Sequence, residues 1–407
     1  MNLGILRGEK PGSTSVLLSA MVGLTFAILP VGLIGVLIKP LNASFGWSRG
    51  MISASLIFGS ISMLLLAPIV GPLIDRYGSR RVALPGLAAV GLAMVLIGCS
   101  GPSPWTWWGA WLFYGVVQTC ANNLVWSKSI ILWFDRNRGA ALGVLMTVPI
   151  LCLGLVPSAA IAIMSVWSWR AVFFILAGLI WFFALPLLWF FFERGSEPAE
   201  ARARSANTGR IPFDWSMTRT SAFWTLAFAF VAVAMAAGTL FVHMQPVFID
   251  QGLTAAGAAF AVGMFGPSSA VSRLGTGFLL DRWSARKIGA VAIALPAASY
   301  LLILLFPGDA GAAVACALIL GMAVGCESDV LAYIISRQFP ESAFSSAYAL
   351  LLGMYGIGYS VAPLIAGMVF DLTGTYYGVF VAMMAATLTG AAALMTLKPP
   401  AAAAGPV

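Results

Sequence analysis

The sequence predicts an all-α membrane protein with twelve transmembrane helices, arranged as two six-helix halves related by a pseudo-two-fold axis. Three observations predict this fold class: the composition, a series of apolar runs of helix length, and a motif that occurs twice, half a chain apart. Of the 407 residues, 60% are apolar and 9% are charged, whereas about a quarter are charged in an ordinary soluble domain. This composition excludes a soluble enzyme, a nucleic-acid-binding protein and a secreted disulfide scaffold.

Apolar runs bounded by charges, glycines and prolines define the predicted spans. A membrane-crossing helix needs about 20 apolar residues, and these runs have about that length or more. They lack the alternation of a transmembrane barrel strand, and a backbone in lipid must satisfy its polar groups within the segment, so each run predicts a helix. Spans 1 to 12 are expected at 16–38, 50–74, 82–101, 105–133, 139–166, 168–192, 222–249, 255–280, 286–306, 310–336, 343–370 and 375–397.

The remaining segments divide the chain. The polar stretch 193–220 lies near the midpoint, and we interpret it as a cytoplasmic linker between an N-terminal half, 1–192, and a C-terminal half, 221–398. The tail 399–407 has a low-complexity composition and is expected to be disordered. The first apolar run is too long for a signal peptide. The five cysteines lie in apolar runs without CxxC spacing, so we expect them to pack rather than to bind metal or pair.

The basic residues predict the orientation. With the N-terminus in the cytoplasm, seventeen Lys and Arg residues lie on the cytoplasmic side, and Lys39, Arg49 and Arg170 lie on the other side. Such an asymmetry follows the positive-inside rule. We therefore expect an integral protein of a bacterial inner membrane with both termini in the cytoplasm, and we interpret the net charge of +8 as loop asymmetry.

A charged motif follows span 2 and occurs again after span 8. Residues 71–81 are GPLIDRYGSRR and residues 277–287 are GFLLDRWSARK, at an offset of 206 residues. Six spans in each half, an even number, give the halves parallel topology. The motif resembles the signature loop of the major facilitator superfamily, which implies the major facilitator fold. It also implies a gating role for Asp75, Arg76, Asp281 and Arg282; alternatively, these charges only set the topology.

A narrower resemblance involves most of the chain. Residues 35–41 (GVLIKPL), 45–49 (FGWSR), 133–139 (WFDRNRG) and 169–170 (WR) are similar to monocarboxylate transporters and oxalate:formate antiporter-like proteins. Arg273, four residues before the second motif, fits the same group. An arginine at this place on span 8 binds the substrate carboxylate in those transporters, so the resemblance implies the same role for Arg273.

Four ionisable side chains fall well inside the predicted spans, where a charge is costly and therefore marks a functional position. They are Lys128, Arg273, Glu327 and Asp329. Arg273 lies about 12 Å from the end of its helix at 1.5 Å per residue, and its planar guanidinium matches a carboxylate with two parallel hydrogen bonds. The alternative is a structural ion pair with span 10.

Glu327 and Asp329 are about 200° apart around a helix, so they cannot both face one cavity. Asp329 is favoured for the translocation path because it lies at the depth of Arg273, and because the offset of 206 residues relates it to the polar Asn123 of span 4. A structural role for one of the two acids stays open. Asn122 and Tyr333 are further substrate-binding candidates.

Other polar side chains have weaker signals. We expect Lys128 to serve gating or an interface, and Lys39 either to attract anions to the outer mouth or to be a plain surface lysine. His243 is the single histidine, and it either relays protons near neutral pH or packs by hydrogen bonding. Gln245 and Pro246 predict a break in span 7.

Span 11 carries Tyr348, Tyr355 and Tyr359 on one helix face, which lines either a cavity or the core. We count Tyr355 and Tyr359 as substrate-binding candidates. Oxalate exchangers of the resembling group have a second basic residue on this span, where the present chain has Tyr355 and no Lys or Arg. This difference favours a mono-anion with a neutral or aromatic tail over a dianion.

These features predict a secondary active transporter of an organic monocarboxylate, coupled to proton symport through Asp329 or Glu327, with His243 as a further candidate. Monocarboxylate carriers often have an acid where this chain has Ser269, so the proton site would have moved to span 10. Organic-anion exchange is the alternative, and drug efflux ranks below it. An enzyme is not expected, since the residues form no catalytic constellation. The expected partners are the carboxylate, protons and membrane lipid, without nucleic acid, metal or cofactor, and the expected state is a monomer.

Overall fold

The computed structural model describes residues 9–193, 214–280 and 282–397. Within these ranges the chain is helical and has no strand, which confirms the predicted fold class. The helices of the described ranges form twelve spans, which we number 1 to 12 in chain order. Most of the predicted linker, the tail 399–407 and Asp281 lie outside the described residues.

The N-terminal half contains spans 1 to 6, several of which are interrupted. Span 1 is Ser13–Ile28 and Leu33–Phe45, joined by a 3-10 turn at Leu29–Gly32; span 2 is Arg49–Ser53 and Ser55–Tyr77; span 3 is Ser79–Gly98; span 4 is Pro104–Thr119 and Asn123–Trp133; span 5 is Arg138–Met164; span 6 is Trp169–Leu179, a π-helical turn at Ile180–Ala184, and Leu185–Phe191.

The C-terminal half contains spans 7 to 12. Span 7 is Ser221–Asp250; span 8 is Ala255–Gly263 and Phe265–Leu280; span 9 is Ala285–Leu305; span 10 is Ala310–Gln338; span 11 is Glu341–Thr373; span 12 is Tyr377–Thr396. One apolar core fills the N-terminal half, and two clusters fill the C-terminal half.

Ten helices of the described ranges are long and apolar enough to cross a membrane. The other two spans, 4 and 8, were expected to be continuous over 105–133 and 255–280. The structure corrects this, as it does for the interrupted spans 1, 2 and 6. In span 4 the Asn122 side chain accepts a hydrogen bond from the Leu124 amide (2.9 Å) and starts a second helix. Span 8 is interrupted at Met264, between Gly263 and Gly266, where it touches the backbone of span 5.

The expected break at Gln245 and Pro246 is wrong, because span 7 is one helix over Ser221–Asp250. A proline inside a helix leaves the carbonyl four residues earlier without its usual donor. That carbonyl belongs to Val242, and it faces Gly35 of span 1, whose added Cβ would lie 2.5 Å from it. The carbonyl that lacks a helical hydrogen bond therefore lies where span 7 packs against span 1 of the other half.

The bundle has two ends, which we name by their loops. The terminus face carries Glu9, Glu193 and Asp214, next to the undescribed segments, together with the loop 134–137. The far face carries the loops 46–48, 99–103, 251–254 and 374–376. Each odd-numbered span runs from the terminus face to the far face, as the short loops between consecutive helices require.

Glycines allow the two halves to meet closely in the part of the bundle nearer the far face. An added Cβ on Gly154 of span 5 would lie 2.7 Å from the Gly263 carbonyl of span 8. On Gly367 of span 11 it would lie 2.6 Å from the amide nitrogen of Gly50 in span 2. Helices in lipid associate through such small residues, because close packing replaces the hydrophobic driving force.

Gly367→Ala should lower the stability of the closed far face, because the new methyl group would collide with the backbone of span 2. Overpacking of this kind costs about 1–3 kcal/mol, and the midpoint of thermal unfolding in detergent should fall. Gly356→Ala on the same helix is the matched control, since its Cβ meets no atom within 4 Å; its midpoint should stay or rise. Equal midpoints for the two variants would contradict the contact.

Candidate functional site

Arg273 lies on the second helix of span 8 and faces span 10. Its Nη2 donates to Ser328 Oγ (3.2 Å), and its Nη1 lies 3.8 Å from Asp329 Oδ1. The Nε of Arg273 is buried and has no partner among the described residues. The guanidinium has five N–H donors, so several of them remain available to a ligand.

Close packing of spans 8 and 10 holds this arginine in place. An added Cβ on Gly325 of span 10 would lie 2.3 Å from the Ser269 carbonyl, and one on Gly321 would lie 2.5 Å from the Phe265 carbonyl. Ser272 Oγ donates to the Met322 carbonyl (2.7 Å). The backbones of the two helices are thus in contact one turn away from Arg273.

The two acids of span 10 point to different partners. Asp329 faces Arg273, and 41% of its side chain is exposed. Glu327 is buried, and its Oε1 accepts a hydrogen bond from the hydroxyl of Tyr355 on span 11. Its Oε2 is buried without a partner in the described part of the chain. The ring of Tyr355 stacks on Tyr359 with a centroid distance of 6.1 Å.

Three other predicted binding residues lie apart from this cluster. Asn122 caps the second helix of span 4, Asn123 Oδ1 accepts from Ser127 Oγ (2.8 Å), and the Tyr333 hydroxyl accepts from Arg337 (3.3 Å). In the ranges described, none of the three forms a hydrogen bond or ion pair with Arg273 or either acid.

The predicted gating charges lie near the terminus face. Asp75 of span 2 forms a salt bridge with Lys128 of span 4, inside the N-terminal half. The Arg76 guanidinium lies 5.3 Å from the Tyr77 ring, and that of Arg282 lies 3.9 Å from the Phe278 ring. The fourth predicted residue, Asp281, is outside the described residues.

An ionic network joins the two halves at the far face. The Asp250 carboxylate at the end of span 7 forms salt bridges with Lys39 (Nζ to Oδ1, 2.7 Å) and with Arg49 (Nη2 to Oδ2, 2.6 Å). The Asp371 carboxylate of span 11 accepts the backbone amides of Arg49 and Gly50, both at 2.9 Å. We call these five residues the latch. Salt bridges between the halves occur only here among the described residues, so the bundle is closed at the far face.

His243 belongs to the surroundings of the latch. Its Nε2 donates to the Pro363 carbonyl (2.8 Å), and its Nδ1 therefore accepts from the Tyr376 hydroxyl (2.8 Å). The same hydroxyl accepts from Arg49 Nη1 (3.1 Å). The imidazole is fully buried between the halves, and it contacts neither Arg273 nor the acids of span 10.

Sequence reasoning missed most of the latch. Arg49, Asp250 and Asp371 are each next to a loop on the same predicted side, and Arg49 lies in the opposite half from the two aspartates. The sequence signal that could have predicted these salt bridges is a pattern of opposite charges at the same end of the two halves. Lys39, expected at the outer mouth, is paired with Asp250 instead of being free among the described residues.

Gln245 of span 7 lines a small cavity between spans 1, 5, 7 and 8. The cavity has a volume of about 10 Å³, which is room for about one water molecule. Its other lining residues are apolar, and they include Leu153, Phe241 and Phe265. Both polar atoms of the Gln245 amide are buried and have no hydrogen-bond partner within the described ranges. The closed far face thus contains an amide that no described protein group satisfies.

The loop after span 4 is tied to the N-terminal segment. The Glu9 carboxylate accepts the backbone amides of Asp135 (2.7 Å), Arg136 (3.0 Å) and Asn137 (2.7 Å). These hydrogen bonds, that from Asp135 most of all, hold the pKa of Glu9 below its ordinary value. The Asp135 carboxylate lies 3.1 Å from Lys10 Nζ, and this contact lowers the pKa of Asp135.

Comparisons with known proteins agree with this architecture. Residues 20–329 match the family described as the Major Facilitator Superfamily. Monocarboxylate transporter 10 of Danio rerio is 25% identical over 363 residues, which cover 83% of this chain and 68% of that protein. The rice protein "Probable anion transporter 3, chloroplastic" (Oryza sativa subsp. japonica) is 32% identical over 152 residues, which cover 33% of this chain and 26% of that protein.

A solved structure extends the comparison over the whole fold. The crystal structure of a bacterial homologue of the human lysosomal transporter Spinster, in an inward-facing and occupied conformation, superposes with a TM-score of 0.71. The alignment covers 95% of both chains at 17% sequence identity. Such a similarity shows the shared fold.

Gln245→Leu should stabilise the protein, because it removes a buried amide without partners and keeps most of the volume. An unsatisfied buried polar group costs about 1–3 kcal/mol, so the midpoint of thermal unfolding in detergent should rise. Gln251→Leu is the matched control, since the Gln251 amide donates to the Ile303 carbonyl (3.1 Å); that midpoint should fall. A lower midpoint for Gln245→Leu would show that the amide is satisfied.

Glu9 should make stability depend on pH. A carboxyl whose pKa is lowered by folding stabilises the protein above its ordinary pKa of 4.5, and this stabilisation is lost as the pH falls. We expect Glu9→Gln to lower the unfolding midpoint above that pH and to leave it unchanged well below. A midpoint difference that is the same at both pH values would contradict a titrating role.

Proposed function

The chain belongs to the Major Facilitator Superfamily, and we propose that it moves an organic monocarboxylate across the membrane by alternating access, together with a proton. One observation carries this proposal: a guanidinium on span 8, partly satisfied by span 10, retains unused donors inside a transporter fold. A carboxylate is the group that such a planar fork binds best.

The relatives support an acidic substrate. A monocarboxylate transporter aligns with 83% of this chain, and a protein named as an anion transporter aligns with part of it. The arginine at the span 8 position supplies the physical reason why an anion is the best candidate.

The proposed coupling uses the Arg273–Asp329 contact. At 3.8 Å and an effective dielectric of about 20, the attraction between unit charges is about 4 kcal/mol, less where water reaches Asp329. A substrate carboxylate that takes over the donors of Arg273 removes this attraction, and Asp329 then takes up a proton. Arginine, substrate and protonated acid together carry no net charge, so the loaded state crosses the membrane without a buried net charge.

Glu327 is the second candidate for the proton. Its Oε1 accepts from the Tyr355 hydroxyl, while its Oε2 is buried without a partner among the described residues. A proton on Oε2 would leave the tyrosine contact intact. The pH dependence of uptake by the variants Asp329→Asn and Glu327→Gln distinguishes which of the two acids takes up the proton.

The substrate is proposed to carry one carboxylate and a neutral or aromatic tail. The sequence of span 11, Glu341–Thr373, contains no Lys or Arg that could hold a second carboxylate. It offers the stacked rings of Tyr355 and Tyr359 instead. Flat apolar or aromatic tails pack well on such rings.

The proposed orientation puts the terminus face in the cytoplasm of a bacterial cell, following the basic residues. The latch then lies on the outside. With the far face closed by the latch, this orientation supports an inward-facing state, in which Arg273 would be reached from the cytoplasm. We propose that the transporter acts as a monomer.

Arg273→Ala should abolish most substrate uptake in proteoliposomes, since a hydrogen-bonded charge pair is worth about 1.5–3 kcal/mol, a factor of about ten to a hundred. Arg273→Lys should restore part of it. Arg219→Ala is the control, on an exposed residue at the terminus face. Full uptake by Arg273→Ala would exclude the arginine as the carboxylate site.

Uptake by the unaltered protein should accelerate as the outside pH falls. Asp329→Asn should flatten this dependence if Asp329 takes up the proton, and Glu327→Gln should do so if Glu327 does. A pH response that survives both changes would contradict symport. Rapid counterflow without a pH gradient, unaffected by both changes, would identify an anion exchanger instead.

A further inference from the structure

A large groove lies on the outside of the N-terminal half, between spans 3 and 6 near the terminus face. Its volume is about 1020 Å³. Spans 3 and 6 touch at Gly91, whose added Cβ would lie 2.4 Å from Trp181 Nε1, and at Gly98, which meets Phe174. Trp181 belongs to the π-helical turn Ile180–Ala184 of span 6, Pro186 follows this turn, and the groove occupies the space between the two helices.

The groove faces the lipid side of the bundle rather than the Arg273 site. Apolar side chains that line it are exposed, among them Trp189 at 61% and Phe190 at 50%. Its inner wall is apolar and is formed by Leu84, Pro85, Ala88, Leu185 and Pro186. Such a surface suits a hydrocarbon chain, which lies beside it in any bilayer.

The end of the groove at the terminus face is aromatic and basic. Tyr77, Trp133 and Trp189 line this end, as aromatic residues do at the boundary between hydrocarbon and head groups. The guanidinium of Arg80 donates to the Phe192 and Trp189 carbonyls, so these donors are occupied by the protein itself. Arg81 is exposed and has no partner among the described side chains.

One acid also lines this end of the groove. Glu193 Oε2 accepts the backbone amide of Arg80 (3.2 Å). Two arginines, Arg80 and Arg81, and one acid, Glu193, line the groove, so the lining has a net positive charge. Arg81 is the exposed cation that can bind an anion.

The sequence repeat supplies a second, independent observation. A groove of about 530 Å³ lies between spans 8, 9 and 10 in the other half, and its lining includes Trp283 and Lys287. At the offset of 206 residues these two positions correspond to Tyr77 and Arg81. Both halves therefore place an aromatic ring and a cation four residues apart beside an apolar groove at the terminus face.

We propose that these two grooves bind anionic phospholipids, with the lipid phosphate on Arg81 or Lys287 and an acyl chain along the apolar wall. Arginine and lysine bind phosphate by charge-assisted hydrogen bonds, and basic pockets between membrane helices are suited to acidic head groups. The larger groove, with three aromatic residues and Arg81, unpaired among the described side chains, at its end, holds its lipid more tightly. The larger groove lies in the other half from the Arg273 cluster, so its lipid does not depend on the transported substrate. The smaller groove shares Ser272 and Met322 with the contact between spans 8 and 10.

Native mass spectrometry of the full chain tests this proposal. Dioleoyl phosphatidylglycerol and dioleoyl phosphatidylcholine have the same acyl chains, so a difference in retention reports the head group. The unaltered protein should retain up to two phosphatidylglycerol molecules and lose phosphatidylcholine. Arg81→Ala should weaken the tighter site about tenfold, and Arg81→Ala with Lys287→Ala should remove both.

Arg136→Ala is the matched control, since Arg136 is exposed on the same face but lines neither groove. Thermal unfolding of each variant shows that it is folded. Equal retention of the two lipids, or equal retention by Arg81→Ala and Arg136→Ala, would overturn the proposal. Displacement of phosphatidylglycerol by inorganic phosphate at equal concentration would overturn it too, because the grooves would then be free-anion sites.

Discussion

A charge inside an apolar bundle must be compensated by nearby groups, and this constraint determines how spans 8 and 10 are arranged. Removing a charge from water is costly unless hydrogen bonds and an opposite charge replace the solvent. Arg273 receives both from Asp329 and Ser328, and the glycines of span 10 bring the two helices close enough for these contacts. The compensation is partial, because the pair is 3.8 Å apart and the Nε has no partner in the described residues.

The site and the latch use different contacts. The contacts of Arg273, Asp329 and Glu327 all lie within the C-terminal half, between spans 8, 10 and 11. The latch, by contrast, joins the two halves. Separation of the halves at the far face would break the latch and leave the contacts of the site in place. This division suits alternating access, in which the halves rock against each other around a fixed site.

Several features keep the closed far face from being too stable. The Gln245 amide is sealed in without a partner among the described residues, and the Val242 carbonyl lacks a helical donor because of Pro246. The latch is also partly exposed, since 34% of the Asp250 side chain is accessible, and exposed ion pairs contribute little. A switch between two states requires that neither state be favoured by much.

The sequence alone determined the all-α class, the two halves and the position of most spans. Apolar length and the repeat of the charged motif are local properties, and lipid leaves a backbone few alternatives to the helix. Helical geometry also predicted that Glu327 and Asp329 would have different surroundings. The breaks in spans 4 and 8 and the continuity of span 7 could not be predicted, since they depend on which helix packs against each glycine or proline.

Only the tertiary structure decided which charged side chains pair with one another. The sequence placed Asp329 at the depth of Arg273, but whether these two side chains pair depends on the relative rotation of their helices. Arg49, Asp250 and Asp371 are far apart in the chain, and they meet because the halves close at one end. Contacts between distant segments follow from packing, whereas hydropathy and helical period follow from neighbouring residues. For that reason the sequence determined the membrane fold and its buried charges, and the packing of the halves decided which charges met.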